Sequence, residues 1–240
     1  MTGGVRKGAA MIQAVVFDMD GLMFDTERLA SDAWLKIGKL HGLPITESVM
    51  NRMKGLRLEA CISIFQEELG EDFDYWALRK ERTEYVNRWI QEHGVPVKPG
   101  LRELLAWLKG HGYKIALATS TYRKTASRYL ELAQVSGYFP YQVFGDMVEN
   151  GKPEPDIFLR AAREVETPPG QCLVLEDSYA GVEAGWRAGC PVIMVPDVLL
   201  PTEREKGRTV ACVKTLHEVI PWLAEGQKKE REDGFGLQIG

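Results

Sequence analysis

A basic face is the first thing missing from this 240-residue chain: 34 acidic residues stand against 30 basic ones, for a net charge of -4. A nucleic-acid partner calls for a Lys/Arg surplus that displaces counterions, so none is expected. Cysteine is scarce. The four present, Cys61, Cys172, Cys190 and Cys212, lie far apart with no CxxC pair and no neighbouring histidine. That spacing argues against zinc and against a disulfide framework and predicts buried thiols. The four histidines, His41, His93, His111 and His217, fall beside glycine or on helix surfaces, and none is assigned a role. No apolar stretch approaches the ~20 residues of a membrane helix. The glycine-rich start, Met1 to Ala10, has no apolar signal-peptide core. A cytoplasmic, monomeric protein with no membrane partner is therefore the expectation. Internal repeats and low-complexity tracts are absent too, while 45% hydrophobic and 27% charged residues suit a globular chain. The length accommodates one large α/β unit or a core plus an inserted module.

What is present is a run of buried strands that end in chemistry. Ile12 to Phe17 is short, uninterrupted and β-branched, as expected of a strand covered on both faces of a parallel sheet. It leads into Asp18-Met19-Asp20-Gly21. Ligands of open α/β sheets bind beyond the carboxyl ends of the strands, which puts both acids at the mouth of a crevice. Alternation turns Met19 away and both carboxylates to one side, and Gly21 permits a turn that a Cβ resists. Two adjacent carboxylates repel unless a cation joins them, and Mg²⁺ is the natural partner.

The pattern returns downstream. Lys114 to Ala118 reads as a second strand ending in Thr119-Ser120-Thr121, whose hydroxyls can donate to phosphate oxygens. Asn150 to Asp156 is a loop fixed by Gly151, Pro153 and Pro155, carrying Lys152 at the entrance to a helix. Cys172 to Leu175 is a third strand run, followed by Glu176-Asp177-Ser178 and a helix from Ala180 to Ala188 closed by Gly189. Between the first and second strands the pattern changes. Ala33, Trp34, Ile37 and Leu40 recur at helical spacing, as do Tyr75, Leu78, Tyr85, Val86, Trp89 and Ile90. Thr26 to about His93 is thus a helical insertion whose aromatics are read as its interior. Gly94, Pro96, Pro99 and Gly100 mark the return to the core, followed by a helix from Leu101 to Gly110. Val192 to Val195 and Ala211 to Lys214 read as strands, and His217 to Ala224 as a helix. The loop Lys54-Gly55-Leu56-Arg57 can present two cations to an anion, and solvated surface charge is the equal alternative. The mixed charges of Lys228 to Asp233 read as a solvated helix end or disorder.

Taken together, DxDG, Thr/Ser, Lys-Pro and Glu-Asp at successive strand ends resemble the haloacid dehalogenase superfamily. The string EDSxxGxxAGxxAG, from Glu176 to Gly189, carries the same resemblance. Within it the chain looks like the branch of β-phosphoglucomutases and small-metabolite phosphatases. The resemblance implies a doubly wound, parallel-sheet α/β core over 11–25 and 95–225, a helical cap over 26–94, and tails at 1–10 and 226–240. It also implies a Mg²⁺-dependent enzyme acting on a small phosphate ester of the sugar or polyol class through an aspartyl-phosphate. By that resemblance Asp18 is the nucleophile and Asp20 the acid and base. Thr119 and Lys152 bind the phosphoryl oxygens, with Gly21, Ser120, Lys54, Gly55 and Arg57 on the substrate side. The metal ligands are Asp18, the Asp20 carbonyl and Asp177, supported by Glu176. Dehalogenases of the superfamily usually lack the second acid, so Asp20 favours ester chemistry. Where the mutases carry a histidine, an arginine and a lysine on the cap, this chain has Ala30, Leu58 and Glu81. That favours a phosphatase, with Arg57 a partial substitute for the missing cations. A mutase, and a non-catalytic binding protein on the same scaffold, stay open as alternatives.

Overall fold

The computed structural model describes residues 11–53, 58–70 and 73–226. Six strands form one parallel sheet: β1 (Ala14–Phe17), β2 (Lys114–Ala118), β3 (Tyr141–Val143), β4 (Cys172–Glu176), β5 (Val192–Met194) and β6 (Ala211–Cys212). Their order is β3-β2-β1-β4-β5-β6. The sheet is wound outward in both directions from β1, which pairs in register with β2 and β4. The order reverses at β1, and such a reversal opens a crevice beyond the strand's carboxyl end.

Strand alternation divides the core between the two faces. Val15, Phe17, Ile115, Leu117, Leu173, Leu175 and Ile193 pack on one side, together with helix α5 (Leu101–Gly110) and helix α6 (Arg123–Leu132). Ala14, Val16, Ala116, Ala118, Val174, Val192 and Met194 pack on the other, under α7 (Asp156–Glu164) and α8 (Tyr179–Arg187). Burial of both faces is why these strands read as continuous apolar runs. α5 shows the helical counterpart: Leu101, Leu104, Leu105 and Leu108 are buried along one stripe. Each contributes about 2 kcal/mol by leaving water.

The segment between β1 and α5 is helical, as expected: α1 (Thr26–His41), α2 (Glu47–Met53), α3 (Leu58–Leu69) and α4 (Tyr75–His93). Trp34, Ile45, Val49, Met50, Phe65 and Tyr75 form a hydrophobic cluster of their own. At the base, Leu29 and Ala33 of α1 and Val86 and Ile90 of α4 join the main core. Leu40 departs from its expected place on the buried stripe and is exposed. The chain leaves and re-enters the core along two segments that run side by side. The Asp25 N–H donates to the Pro96 carbonyl at 2.8 Å and the Lys98 N–H to the Met23 carbonyl at 2.9 Å.

Several sequence expectations shift. β1 begins at Ala14 instead of Ile12, β5 ends at Met194 and β6 at Cys212. Within the loop after β5, α9 (Glu203–Lys206) is closed by a capping box of Thr202 and Glu205. The helix expected from His217 starts as a 3₁₀ turn at Leu216–Glu218 and runs through residues 219–226. Buried thiols hold for Cys172 and Cys190, whereas Cys61 is half-buried and Cys212 exposed. Among the described residues, no helix is long and apolar enough to cross a membrane. Residues 1–10 and most of the 226–240 tail, Lys228 to Asp233 included, lie outside the described residues.

Candidate active site

β1 ends at Phe17, yet the sheet still holds the next residue, because the Asp18 N–H donates to the Leu175 carbonyl at 3.1 Å. Beyond it, Met19 turns fully inward, and the N–H groups of Met23 and Phe24 both donate to its carbonyl. Gly21 closes this turn at φ +83°, and a Cβ there would collide with the Asp177 carboxylate. Asp18 and Asp20 consequently open onto one cavity of about 710 Å³, with Thr119, Ser120, Lys152, Glu176 and Asp177 around them. The turn, not strand alternation, aims Asp20.

Lys152 is the cation of this floor. Its Nζ pairs with Asp18 Oδ1 and, at 2.6 Å, with Glu176 Oε1. The side chains of the trio are at most 9% exposed. The other oxygen of Glu176, Oε2, accepts the backbone N–H groups of Asp177 and Ser178 at 2.9 and 3.0 Å and the Ser178 hydroxyl at 3.0 Å. Gly181 leaves room for it, since a Cβ there would overlap the Glu176 carboxylate. Glu176 thus has both oxygens engaged and acts as a fixed anchor for the ammonium.

Burial and crowding raise two of these carboxyls, Asp18 and Asp177, above the ordinary carboxylate range. Burial lifts Asp18, Lys152 opposes it, Glu176 and Asp20 add to it, and the carboxyl stands at about 8. Asp177 is raised by burial and then by Glu176 and Asp18. Burial alone would lower Lys152, but Asp18 and Glu176 raise it, so it stays an ammonium. Asp18, Glu176 and Asp177 each offer an oxygen within 4.8 Å of the others. Once ionised, these three carboxylates against one ammonium would leave two negative charges in excess. A hard oxygen set with that excess could hold a divalent metal ion, whose charge would relieve the crowding.

Asp20 is held differently. Its Oδ1 accepts the Thr26 hydroxyl at 2.7 Å and its Oδ2 the Thr121 hydroxyl at 2.6 Å. Of the three hydroxyls expected to meet phosphate oxygens, Thr121 is therefore turned to Asp20 instead. Thr119 accepts the Thr121 N–H at 3.0 Å and lines the cavity, as does exposed Ser120.

The wall opposite this floor comes from the helical segment. Trp34, Phe65 and Tyr75 meet there with ring centroids 4.7 to 5.8 Å apart, so these aromatics form an interior and a cavity lining at once. Ala30 lines the cavity as well. Glu81, by the resemblance, stands where the mutases carry a cap lysine. It pairs with His41 at 2.8 Å and is not among the lining residues. Lys54, Gly55 and Arg57 lie outside the described residues, as does the side chain of Leu58. The sequence reading gave no role to Thr26, Ser178, Glu27, Arg82 or Asp197, all but Thr26 on the cavity lining, and it turned Thr121 toward phosphate instead of Asp20. Thr26 and Thr121 stood at the ends of quoted motifs, which was the one available signal.

With this geometry in view, comparison with known proteins is decisive. The chain matches the family described as "Haloacid dehalogenase-like hydrolase" over residues 15–195. It belongs to that family. Among the family's proteins it is 36% identical over 178 residues to the "Phosphorylated carbohydrates phosphatase" of Thermotoga maritima, covering 74% of this chain and 82% of the relative. It is 30% identical over 186 residues to the "Beta-phosphoglucomutase" of Bacillus subtilis, covering 74% and 80%. A solved structure from Thermotoga maritima superposes with a TM-score of 0.77 at 34% identity, covering 89% of this chain and 99% of that one. The β-phosphoglucomutase-like resemblance read from the motifs is thereby upheld, as is the Rossmann-like sheet of the haloacid dehalogenase fold.

Proposed function

We propose that this chain is a Mg²⁺-dependent phosphatase that hydrolyses a small phosphorylated metabolite of the sugar or polyol class through an aspartyl-phosphate. The observation that carries the reading is the pairing of two unlike carboxylates on one cavity: Asp18 locked to a buried ammonium, Asp20 held by two hydroxyls. Phosphoryl transfer asks for those two roles, a positioned nucleophile and a separate proton donor.

Asp18 attacks phosphorus in line with the leaving oxygen, and Asp20 hands its proton to the departing alkoxide as the ester bond breaks. Asp20 then takes a proton from the water that attacks the aspartyl-phosphate, which releases inorganic phosphate and restores Asp18. Lys152 and Thr119, with Ser120 beside them, stabilise the equatorial phosphoryl oxygens. Asp18, Asp177 and the Asp20 carbonyl would hold a Mg²⁺ ion that would neutralise phosphoryl charge, while Glu176 anchors Lys152 from behind. Residues 26–94 serve as a cap over the core of 11–25 and 95–225, closing about the paired segments at Asp25 and Pro96. Closure excludes bulk water.

A mutase is the second reading, favoured by the likeness to the Bacillus enzyme. Ala30 on the cavity wall weighs against it: a methyl group cannot bond Asp20 and withhold it from water. The test is phosphate release from a panel of sugar and polyol phosphates with and without Mg²⁺, beside a coupled assay on β-glucose 1-phosphate with catalytic glucose 1,6-bisphosphate. Phosphate release that needs Mg²⁺ and outpaces glucose 6-phosphate formation is expected. Asp18→Asn should lower it at least about 10⁴-fold with circular dichroism unchanged. Faster glucose 6-phosphate formation would make the chain a mutase.

A further inference from the structure

Arg82 of α4 lines the active-site cavity without an ion-pair partner among the described residues. Its buried Nε–H donates to no acceptor among the described residues, and the guanidinium lies 5.6 Å over the Trp34 ring. Burial holds it below its ordinary value, the mark of a cation whose charge is poorly compensated. A buried donor left unbonded costs about 1–3 kcal/mol, so a position like this is stable chiefly as a receptor for something that enters the cavity. Glu27 of α1 opens onto the same cavity and makes no hydrogen bond or ion pair among the described residues. Glu27 and Arg82 interact electrostatically, yet no ion pair closes between them. A donor fork and an acceptor face one space beside an aromatic wall of Trp34, Tyr75 and Phe65.

The charge at this end of the cavity decides what fits. Among the described lining residues of the helical segment, Glu27 and Asp32 balance Arg28 and Arg82. A second phosphate would need a net positive pocket there, and none is built from these residues. Hydroxyls need a donor and an acceptor side by side, and aromatic rings suit the C–H faces of a sugar. Resting on the phosphatase reading above, we propose that Arg82, over the Trp34 ring, and Glu27 beside it on the cavity form the leaving-group subsite. They select the monophosphate of an uncharged, polyhydroxylated alcohol over a bisphosphate.

The test measures kcat and KM for sorbitol 6-phosphate, ribose 5-phosphate, fructose 1,6-bisphosphate and phenyl phosphate with Mg²⁺. The proteins are wild type, Arg82→Ala, Glu27→Gln and, as a control, Lys80→Ala at an exposed position of α4. Wild type should prefer at least one hydroxylated monophosphate to both other classes. In Arg82→Ala and Glu27→Gln the kcat/KM ratio of that ester to phenyl phosphate should fall about 10-fold or more, chiefly through KM, and Lys80→Ala should keep the wild-type ratio. A single lost hydrogen bond to a charged group is worth that much. An equal fall on every ester would assign Arg82 a structural role and overturn the proposal, with Glu27→Gln deciding if Arg82→Ala fails to fold. Preference for fructose 1,6-bisphosphate, lost in Arg82→Ala, would make Arg82 a distal phosphate receptor and overturn it too. Hydrolysis of phenyl phosphate alone would sink this proposal and spare the phosphatase reading, whereas no hydrolysis of any ester would sink both.

Discussion

The floor and the wall of the cavity are built on opposite rules. On the floor, Lys152, Asp18, Glu176 and Ser178 satisfy one another through a closed set of ion pairs and hydrogen bonds, and Gly21 and Gly181 clear the space they occupy. On the wall, Glu27 and Arg82 close no ion pair among the described residues, and Arg82 lies over the Trp34 ring. The first arrangement fixes atoms for a reaction that tolerates little displacement. The second keeps polar groups free to meet a substrate. The sheet's edge supplies the one and the helical insertion the other, so the proposed chemistry and the proposed choice of substrate fall in separate parts of the chain.

Three changes would break or sharpen that contrast. Lys152→Met should act hardest, leaving Asp18 and Glu176 buried without their cation. Unfolding free energy by denaturant titration should drop by about 3–5 kcal/mol and phosphate release by at least about 10³-fold. An unaltered stability would mean that the floor is wetter than its burial indicates. Thr121→Val should leave the fold intact but free one side of Asp20, lowering kcat about 10- to 100-fold with little change in KM. A rise confined to KM would place Thr121 on the substrate instead.

The smallest effect concerns acidity. A carboxyl standing at about 8 must give up its proton to a metal. The Asp18 proton is bound below that value, so Mg²⁺ affinity measured by calorimetry should weaken progressively as the pH falls below about 8. An affinity flat from pH 8 to 6 would remove Asp18 from the metal set.

Much of the floor was legible in the sequence because it is built from strand ends. Apolar runs buried on both faces are conspicuous, and whatever follows Phe17, Ala118 and Glu176 has to emerge at the same edge of the sheet. What escaped was short or non-local. β3 has three residues, too few for a pattern, and α6 buries only Ala126, Tyr129 and Leu130 among polar neighbours. The hydroxyl that holds Asp20 comes from Thr121, 101 residues away, and no local signal announces such a pairing. Arg82 sits on a long, mostly polar helix, and only the fold brings it to the cavity. Glu81, its neighbour, closes a pair with His41.

The central claim is that Asp18 carries the phosphoryl group, and one measurement reaches it directly. The protein is mixed with Mg²⁺ and a hydrolysed phosphate ester, quenched in acid within the first turnovers, digested and weighed by mass spectrometry. The account predicts one added phosphoryl group on the peptide containing Asp18, removed by hydroxylamine and absent from Asp18→Asn. Steady hydrolysis with no label on that peptide would contradict it, and the two carboxylates would then have to activate water for direct attack on the ester.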